Sequence, residues 1–476
     1  MDFLASSRSS SPKMFHVLIA ICVMAALACR SVDAQVLANV TAGAFTLQVN
    51  LSSSTFLEEL NISKSDFPSD FIFGVGTAAA QTEGSPNEGG RGQSVWDYRA
   101  KILPDTIMNS DKFFSAVDGY KRYKEDILLI KDLGVNSYRF SISWTRILPN
   151  GSLSGGINQE GVDHYNRLID ELVKNGPCNF GGNSSTEPYI VAHNVILAHA
   201  TVAKLYREKY QAKQKGEVGI VLVTPYYVPY SKSQEDQDAA NRLFDFYLGW
   251  FMDPFVFGEY PKSMRELVKE RLPEFTEEEK VMVKGSLDFL AINYYASSYA
   301  KNKPPSSNEV LRYTLDVAAE IIDGKDAPGL GHGNWPEGLE KLMNYIKDKY
   351  NNPKVYIAEN GIAGVRNDAL DLNVQLNDVS RIIYVVRHLY RLNKAIKNGV
   401  NVKGYFHWTL MDDFEWGMGF RTRFGLYYVD FNRNYTRIPK NSVLWFHNFL
   451  NGTYESDIYK NAANRFTKWL KDLSMN

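Results

Sequence analysis

The sequence predicts an α/β fold, a largely parallel sheet with helices outside it, closed into a barrel. Three observations predict it. Apolar strand-like runs alternate with charged helical patterns over most of the chain. No tandem repeat or low-complexity stretch interrupts that alternation. Polar residues recur at the C-terminal ends of the runs, where barrel active sites sit, and this favours a barrel over an open sheet.

The elements follow in order. Phe71–Gln81 (FIFGVGTAAAQ) reads as the first strand, with a Gly-rich loop behind it. Asp118–Leu133 spaces its apolar residues helically on a charged background and stops at Gly134, a residue suited to a left-handed cap. Ser137–Trp144 alternates and is rich in strand formers. Helices are expected over Glu160–Lys174 and Ile190–Ala212. Further strands are expected at Val218–Val228, Asp288–Tyr295, Val355–Ala358 and Val402–Leu410.

Composition narrows the function. The 476 residues admit two or three ordinary domains or one large barrel. Lys and Arg (53) balance Asp and Glu (54), so no basic excess exists to neutralise phosphates and no nucleic-acid partner is expected. A 44% hydrophobic fraction at near-zero net charge excludes wholesale disorder. The 28 Tyr and 8 Trp fit either core packing or flat surfaces for sugar rings, and composition alone favours packing. No HExxH or CxxC pattern occurs, so no metal is expected. Gly74-Val75-Gly76 lacks the third glycine of a dinucleotide fingerprint, so no cofactor is expected either.

The N-terminus reads as a secretory signal. Arg8 and Lys13 precede the apolar run Met14–Ala28, which is too short for a comfortable membrane span, and Val32-Asp33-Ala34 fits a cleavage site before Gln35. This places the chain in the secretory pathway with no membrane anchor. Sequons at Asn39, Asn50, Asn61, Asn150, Asn183, Asn434 and Asn451 agree, each weak alone. Cleavage would remove Cys22 and Cys29 and leave Cys178 as an odd unpaired thiol. The division expected is a signal peptide over 1–34, an N-terminal extension over 35–66 and one barrel domain over 67–476.

The strand ends carry the chemistry. Gln81 and Glu83 close the first strand, Arg139 lies inside the second, and Asn293 and Tyr295 close a later one. Glu359 ends the run Lys354–Ala358, Trp408 ends another, and Glu415-Trp416 follow in a loop. Carboxylates and amides for hydroxyls, with indoles for ring faces, make an inventory suited to a neutral polyol.

At these residues the chain resembles glycoside hydrolase family 1, the retaining β-glucosidases, in a version like those of plants. Phe67-Pro68-Ser69-Asp70-Phe71-Ile72-Phe73-Gly74 with Gln81-Thr82-Glu83-Gly84 resembles the N-terminal signature of that family. Tyr138-Arg139-Phe140-Ser141-Ile142-Ser143-Trp144 resembles its second strand, and Tyr356-Ile357-Ala358-Glu359-Asn360-Gly361 its nucleophile motif. Gly404 to Asp412, then Phe414-Glu415-Trp416 and Phe424-Gly425-Leu426, resemble its sugar-binding end. The resemblance implies a single (β/α)8 TIM barrel that hydrolyses O-linked β-D-glucosides. It implies Glu359 as nucleophile, with Arg139 and Tyr295 hydrogen-bonding it. Gln81, Asn293, Glu415, Trp416 and Phe424 would bind the sugar, and Trp408 would floor the pocket. The partner implied is a small-molecule β-glucoside, and a homodimer is left open.

One departure dominates. Retaining hydrolysis needs a second carboxyl group to protonate the leaving oxygen, and the family carries it in an Asn-Glu-Pro motif ending the fourth strand. No Asn-Glu-Pro occurs in this sequence. The third and fourth βα units, roughly 60–90 residues of a barrel with eight repeats, are missing between Gly176 and Pro177. With them go a His-Trp sugar-contact pair and one cysteine of a loop disulfide, which would account for the orphan Cys178. Thr186-Glu187-Pro188 imitates the acid motif but resembles a later segment that opens the next helix, so Glu187 is expected to cap or orient that helix. Two classes stay open: a β-glucosidase, if a fuller product carries the segment, and a catalytically dead glycoside-binding relative. A thioglucosidase is a sub-alternative of the first, although Trp416 after Glu415 looks more like the O-glucosidases.

Overall fold

The structure, a computed structural model, describes residues 59, 61–107, 113–151, 155–161, 185–304, 313–322 and 335–452. The signal segment, all three cysteines, Asn39, Asn50, Asn183 and most of the helix expected from Glu160 lie outside the described residues.

Six strands form the central sheet: β1 (Ile72–Gly76), β2 (Ser137–Arg139), β3 (Gly219–Val223), β4 (Phe289–Asn293), β5 (Val355–Asn360) and β6 (Val402–Trp408). Their order is β2-β1-β6-β5-β4-β3, and every pairing is parallel. The last strand lies between the first and the fifth, which is how a barrel closes on its own beginning. Among the described residues the ladder ends at β2 on one side and β3 on the other. These are the two strands that flank the Gly176–Pro177 junction in the chain.

Helices cover the outside. They include α1 (Gly119–Leu133), α2 (Glu187–Lys209), α3 (Glu337–Lys349), α4 (Val379–Lys397) and α5 (Asn441–Asn451). The α1 helix stops at Gly134, whose φ of 82° suits glycine in the left-handed region. The α4 helix buries Ile382, Ile383, Val385, Val386, Leu389 and Leu392, a stripe at helical spacing. Consecutive helices touch around the sheet: α3 with α4, α4 with α5, and α5 with α1. Inside, β1 passes so close to β6 that a Cβ on Gly74 would run into the Phe406 ring. No helix of the described residues is long and apolar enough to cross a membrane.

The strand boundaries depart most from the sequence reading in three places, and the strand expected to close at Tyr295 ends at Asn293. The run Phe71–Gln81 is strand only to Gly76, and Ala79–Thr82 coils into a helical turn. Ala-Ala-Gln is a good helix former with no β-branched residue to hold an extended chain. Gln81 and Glu83 therefore lie one turn beyond the first strand. The run Val218–Val228 breaks at Thr224-Pro225 into Gly219–Val223 and Tyr226–Pro229, since proline offers no N–H to a ladder. Ser137–Trp144 is strand only to Arg139, and Trp144–Ile147 is helical.

The open side leaves a physical trace. Within β3 only Leu222 is buried, and Val221 is 41% exposed, whereas β4 buries Leu290 through Asn293. Beyond β2, Ile142, Trp144, Ile147 and Leu148 form a cluster separate from the main core, and Val195 with Ala198 on α2 form another. An exposed apolar edge strand is a template for association. Val221→Lys should therefore reduce aggregation of the chain, as measured by light scattering. Its effect on unfolding free energy should stay within about 0.5 kcal/mol, because Val221 contributes little packing.

Candidate active site

The register of the ladder assembles the site. Gly76 pairs with both Arg139 and Trp408, and Asn293 pairs with Glu359, all at the C-terminal ends of their strands. Residues four strands apart in the chain thus share one rim. Glu359, whose side chain is 13% exposed, has a donor on each oxygen. Arg139 Nη1 donates to Oε1, and the Tyr295 hydroxyl donates to Oε2 at 2.5 Å. Burial, and then the charge of Glu359, push the Tyr295 phenol well above its ordinary pKa, so it remains a donor.

The other predicted residues lie around this carboxylate. The Arg139 guanidinium stands 5.9 Å from the centre of the Trp408 ring. Trp408 is buried, and its indole N–H donates to Glu415 Oε1 at 3.3 Å. Phe424 packs edge-on to Tyr295 with ring centres 6.0 Å apart. The Asn293 Oδ1 is buried, and no donor among the described residues reaches it. Gln81 is also buried; its Nε2 donates to the Phe414 carbonyl at 2.6 Å, and Phe414 N donates back to the Gln81 carbonyl at 3.1 Å. Gln81 therefore anchors the loop that carries Glu415. Trp416 turns with a φ of 48° and lies against Trp96, ring centres 5.2 Å apart.

Two carboxylates from the sequence inventory lie elsewhere. Glu83 forms a buried 3.0 Å ion pair with Arg146, which also stacks over Tyr120. Glu187 is exposed in the first turn of α2, where a negative charge suits the helix N-terminus, and the N-cap residue is Thr186.

Several positioning groups carried no signal in composition or spacing. Tyr384 on α4 donates to the Tyr295 carbonyl at 2.8 Å, and Asn360 donates to the Tyr294 carbonyl at 2.8 Å. The Tyr405 hydroxyl donates to Asn360 Oδ1 at 2.9 Å. These bonds fix the backbone that bears Tyr295 and Glu359. The loop after β6 hangs on Asp412, which accepts from Arg423 Nη1 and Lys440 Nζ, each at 2.6 Å, and from Gly425 N at 3.0 Å. Burial alone would raise its pKa; Lys440 and Arg423 outweigh that and hold it below the usual 3.8.

The model of glycosyl hydrolase family 1 matches residues 63–180 and 179–453. The chain belongs to glycosyl hydrolase family 1. The match restarts beside the Gly176–Pro177 junction. Furcatin hydrolase of Viburnum furcatum is 41% identical, over 83% of this chain and 88% of that protein. Its alignment runs over 478 positions although 83% of the 476 residues here take part, so on the order of 80 positions lack a counterpart in this chain, which is about what two βα units need. β-Glucosidase 12 of Oryza sativa subsp. indica is 40% identical over 82% of this chain and 93% of its own. Among solved structures, a rice β-glucosidase superposes with a TM-score of 0.76 at 36% identity, over 81% of this chain and 99% of that one. A Humicola insolens β-glucosidase in complex with glucose gives 0.75 at 33% identity, covering 81% and 98%. The chain is thus an O-glycosyl hydrolase of the β-glucosidase type by family, on a TIM-barrel fold.

Asp412 tests the loop's dependence on its ion pairs. Asp412→Asn leaves Lys440 and Arg423 buried beside a neutral group and should cost about 3–5 kcal/mol in denaturant unfolding. The contribution has a defined pH window. Because the folded pKa is depressed, it is complete above 3.8 and is lost as pH falls through the folded value.

Proposed function

We propose that this chain carries the nucleophile and glycone half of a retaining β-glucosidase site, and that Glu359 is the nucleophile. The observation that supports this is the clasp on Glu359: Arg139 on one oxygen and Tyr295 on the other, at the C-terminal rim of β5. A carboxylate aimed in this way attacks the anomeric carbon. The carbon–oxygen bond to the leaving group breaks, its electron pair leaves with that oxygen, and a glycosyl ester remains on Glu359. Glu415, Asn293 and Gln81 supply hydrogen-bonding groups for the sugar, and Trp408 a flat face beneath it.

The chain as written lacks the Asn-Glu-Pro acid, and Glu187 is exposed at a helix start. Leaving groups that depart as stable anions need no proton; alkoxides do. An alkyl β-glucoside should therefore show no turnover above background. An aryl glucoside with a strongly acidic phenol should give a burst of phenol and a glucosyl adduct on Glu359 by mass spectrometry. Azide needs no general base and should release that adduct as the β-configured azide. Glu359→Gln should abolish the burst, and Glu359→Gly with azide should instead give the α-configured product by single displacement. Ordinary turnover of the alkyl glucoside would overturn the reading, as would a burst that survives Glu359→Gln.

The same proposal includes a secretory route. Residues 14–28 read as a signal, and of the sequons the described ones, Asn61, Asn150, Asn434 and Asn451, are all exposed. Protein purified from a eukaryotic secretory host should begin near Gln35 and lose mass on treatment with an N-glycosidase. Retention of Met1–Ala34 with no mass shift would overturn this part.

A further inference from the structure

Asp413 sits between two residues already placed, Asp412 of the loop anchor and Glu415 of the proposed sugar site. The residue is 1% exposed, and no donor among the described residues reaches either of its carboxyl oxygens. A buried carboxylate with no donor is costly enough that the group takes up a proton instead. The Glu415 carboxyl, two residues on, lies within hydrogen-bonding reach. Asp412, Glu359 and the Tyr138 phenol also face it. The nearby cations are otherwise engaged: Arg423 and Lys440 hold Asp412, and Arg139 holds Glu359.

We propose that Asp413 and Glu415 share one proton, and that Asp413 is a positioning residue which acts on the bound sugar through Glu415. The proton resides on Asp413. Glu415 Oε1 already accepts from the Trp408 indole, which favours the ionised form there, whereas neither Asp413 oxygen receives a donor. Asp413 then donates its O–H to Glu415. With the indole and the hydroxyl both on it, the Glu415 carboxylate is held in one orientation toward the sugar. Burial, and then the charge of Glu415, hold the Asp413 carboxyl well above the usual 3.8, in agreement with this assignment. When Asp413 ionises, two adjacent negative charges repel and the orientation is lost.

The inference rests on the reading of Glu415 as a sugar ligand, and the experiment separates the two. The probe is 2-deoxy-2-fluoro-β-glucosyl fluoride, which is uncharged and whose fluoride leaves without a general acid. Inactivation constants for labelling of Glu359 are followed by intact mass across pH. For the parent chain, KI should rise about tenfold or more on the alkaline side as Asp413 ionises. Asp413→Asn keeps a donor that cannot titrate, so its KI profile should lose that limb. Asp413→Ala removes the donor, and KI should rise about tenfold at every pH with a smaller effect on kinact. An alkaline limb that persists in Asp413→Asn, or a parental KI in Asp413→Ala, would overturn the proposal.

Glu415→Gln reports on the underlying reading alone: an unchanged KI would mean that Glu415 does not hold the sugar. The shared proton is read independently of binding by infrared spectroscopy. A protonated-carboxyl C=O band should be present at neutral pH and absent from Asp413→Asn, and its absence from the parent chain would overturn the proposal. Stability gives the same answer with a fixed sign. A raised folded pKa means that the folded chain binds the extra proton, so stability falls as pH rises from 3.8 to the folded value. Asp413→Asn should therefore raise Tm above that of the parent at neutral pH, and the gap should close on acidification. A gap independent of pH would also overturn the proposal.

Discussion

The parallel ladder from β2 through β1, β6, β5 and β4 to β3 is the constraint on which the rest of the site depends. Side chains on neighbouring parallel strands stand at the same height only if the register is right. Here Gly76 meets Arg139 and Trp408, and Asn293 meets Glu359. A one-residue slip of β5 would turn Glu359 to the helix side and bring Ala358 or Asn360 to the rim. Glycine at 74 admits the Phe406 ring between β1 and β6 and so contributes to that register.

Behind the rim, polar groups that touch no sugar hold those that would. Tyr384, Asn360 and Tyr405 bond the backbone around Tyr295 and Glu359, while Asp412, Arg423 and Lys440 bond the loop that carries Glu415. The ion-pair cluster is buried, so its members cost free energy in isolation and are tolerable only together. The same burial separates Asp412 from its neighbour Asp413. One has two cations and an N–H donor that hold its pKa down; the other has no donor among the described residues, and burial pushes its pKa up.

The opening between β2 and β3 joins fold and chemistry in one place. The stretch that would pair with both edges is also the stretch in which relatives carry their acid. Among the described residues, Val221 is exposed on β3, and small apolar clusters beyond β2 and on α2 stand apart from the main core. The parallel ladder of the described residues ends at β2 and β3 with no strand pairing either outer edge.

The sequence by itself determined the α/β class, the order of strands and helices, the family and the missing stretch. These rest on local pattern, motif and length, which need no coordinates. It also marked Glu359, Arg139, Tyr295, Trp408 and Glu415, because their motifs are contiguous in the chain. The tertiary structure alone decided what each of them touches. It turned Glu83 from a sugar-site candidate into the partner of Arg146, and it moved Gln81 off the first strand and onto the Phe414 loop. It exposed Glu187 and found Tyr384, Tyr405 and Asp413, single residues whose role comes from partners as far as 89 positions away. Propensity acts over a few residues, whereas burial and hydrogen-bond partnership are set by strands and helices distant in the chain. Whether a carboxyl is an anchor, a nucleophile or a proton store is therefore decided only when the barrel wall brings its neighbours in.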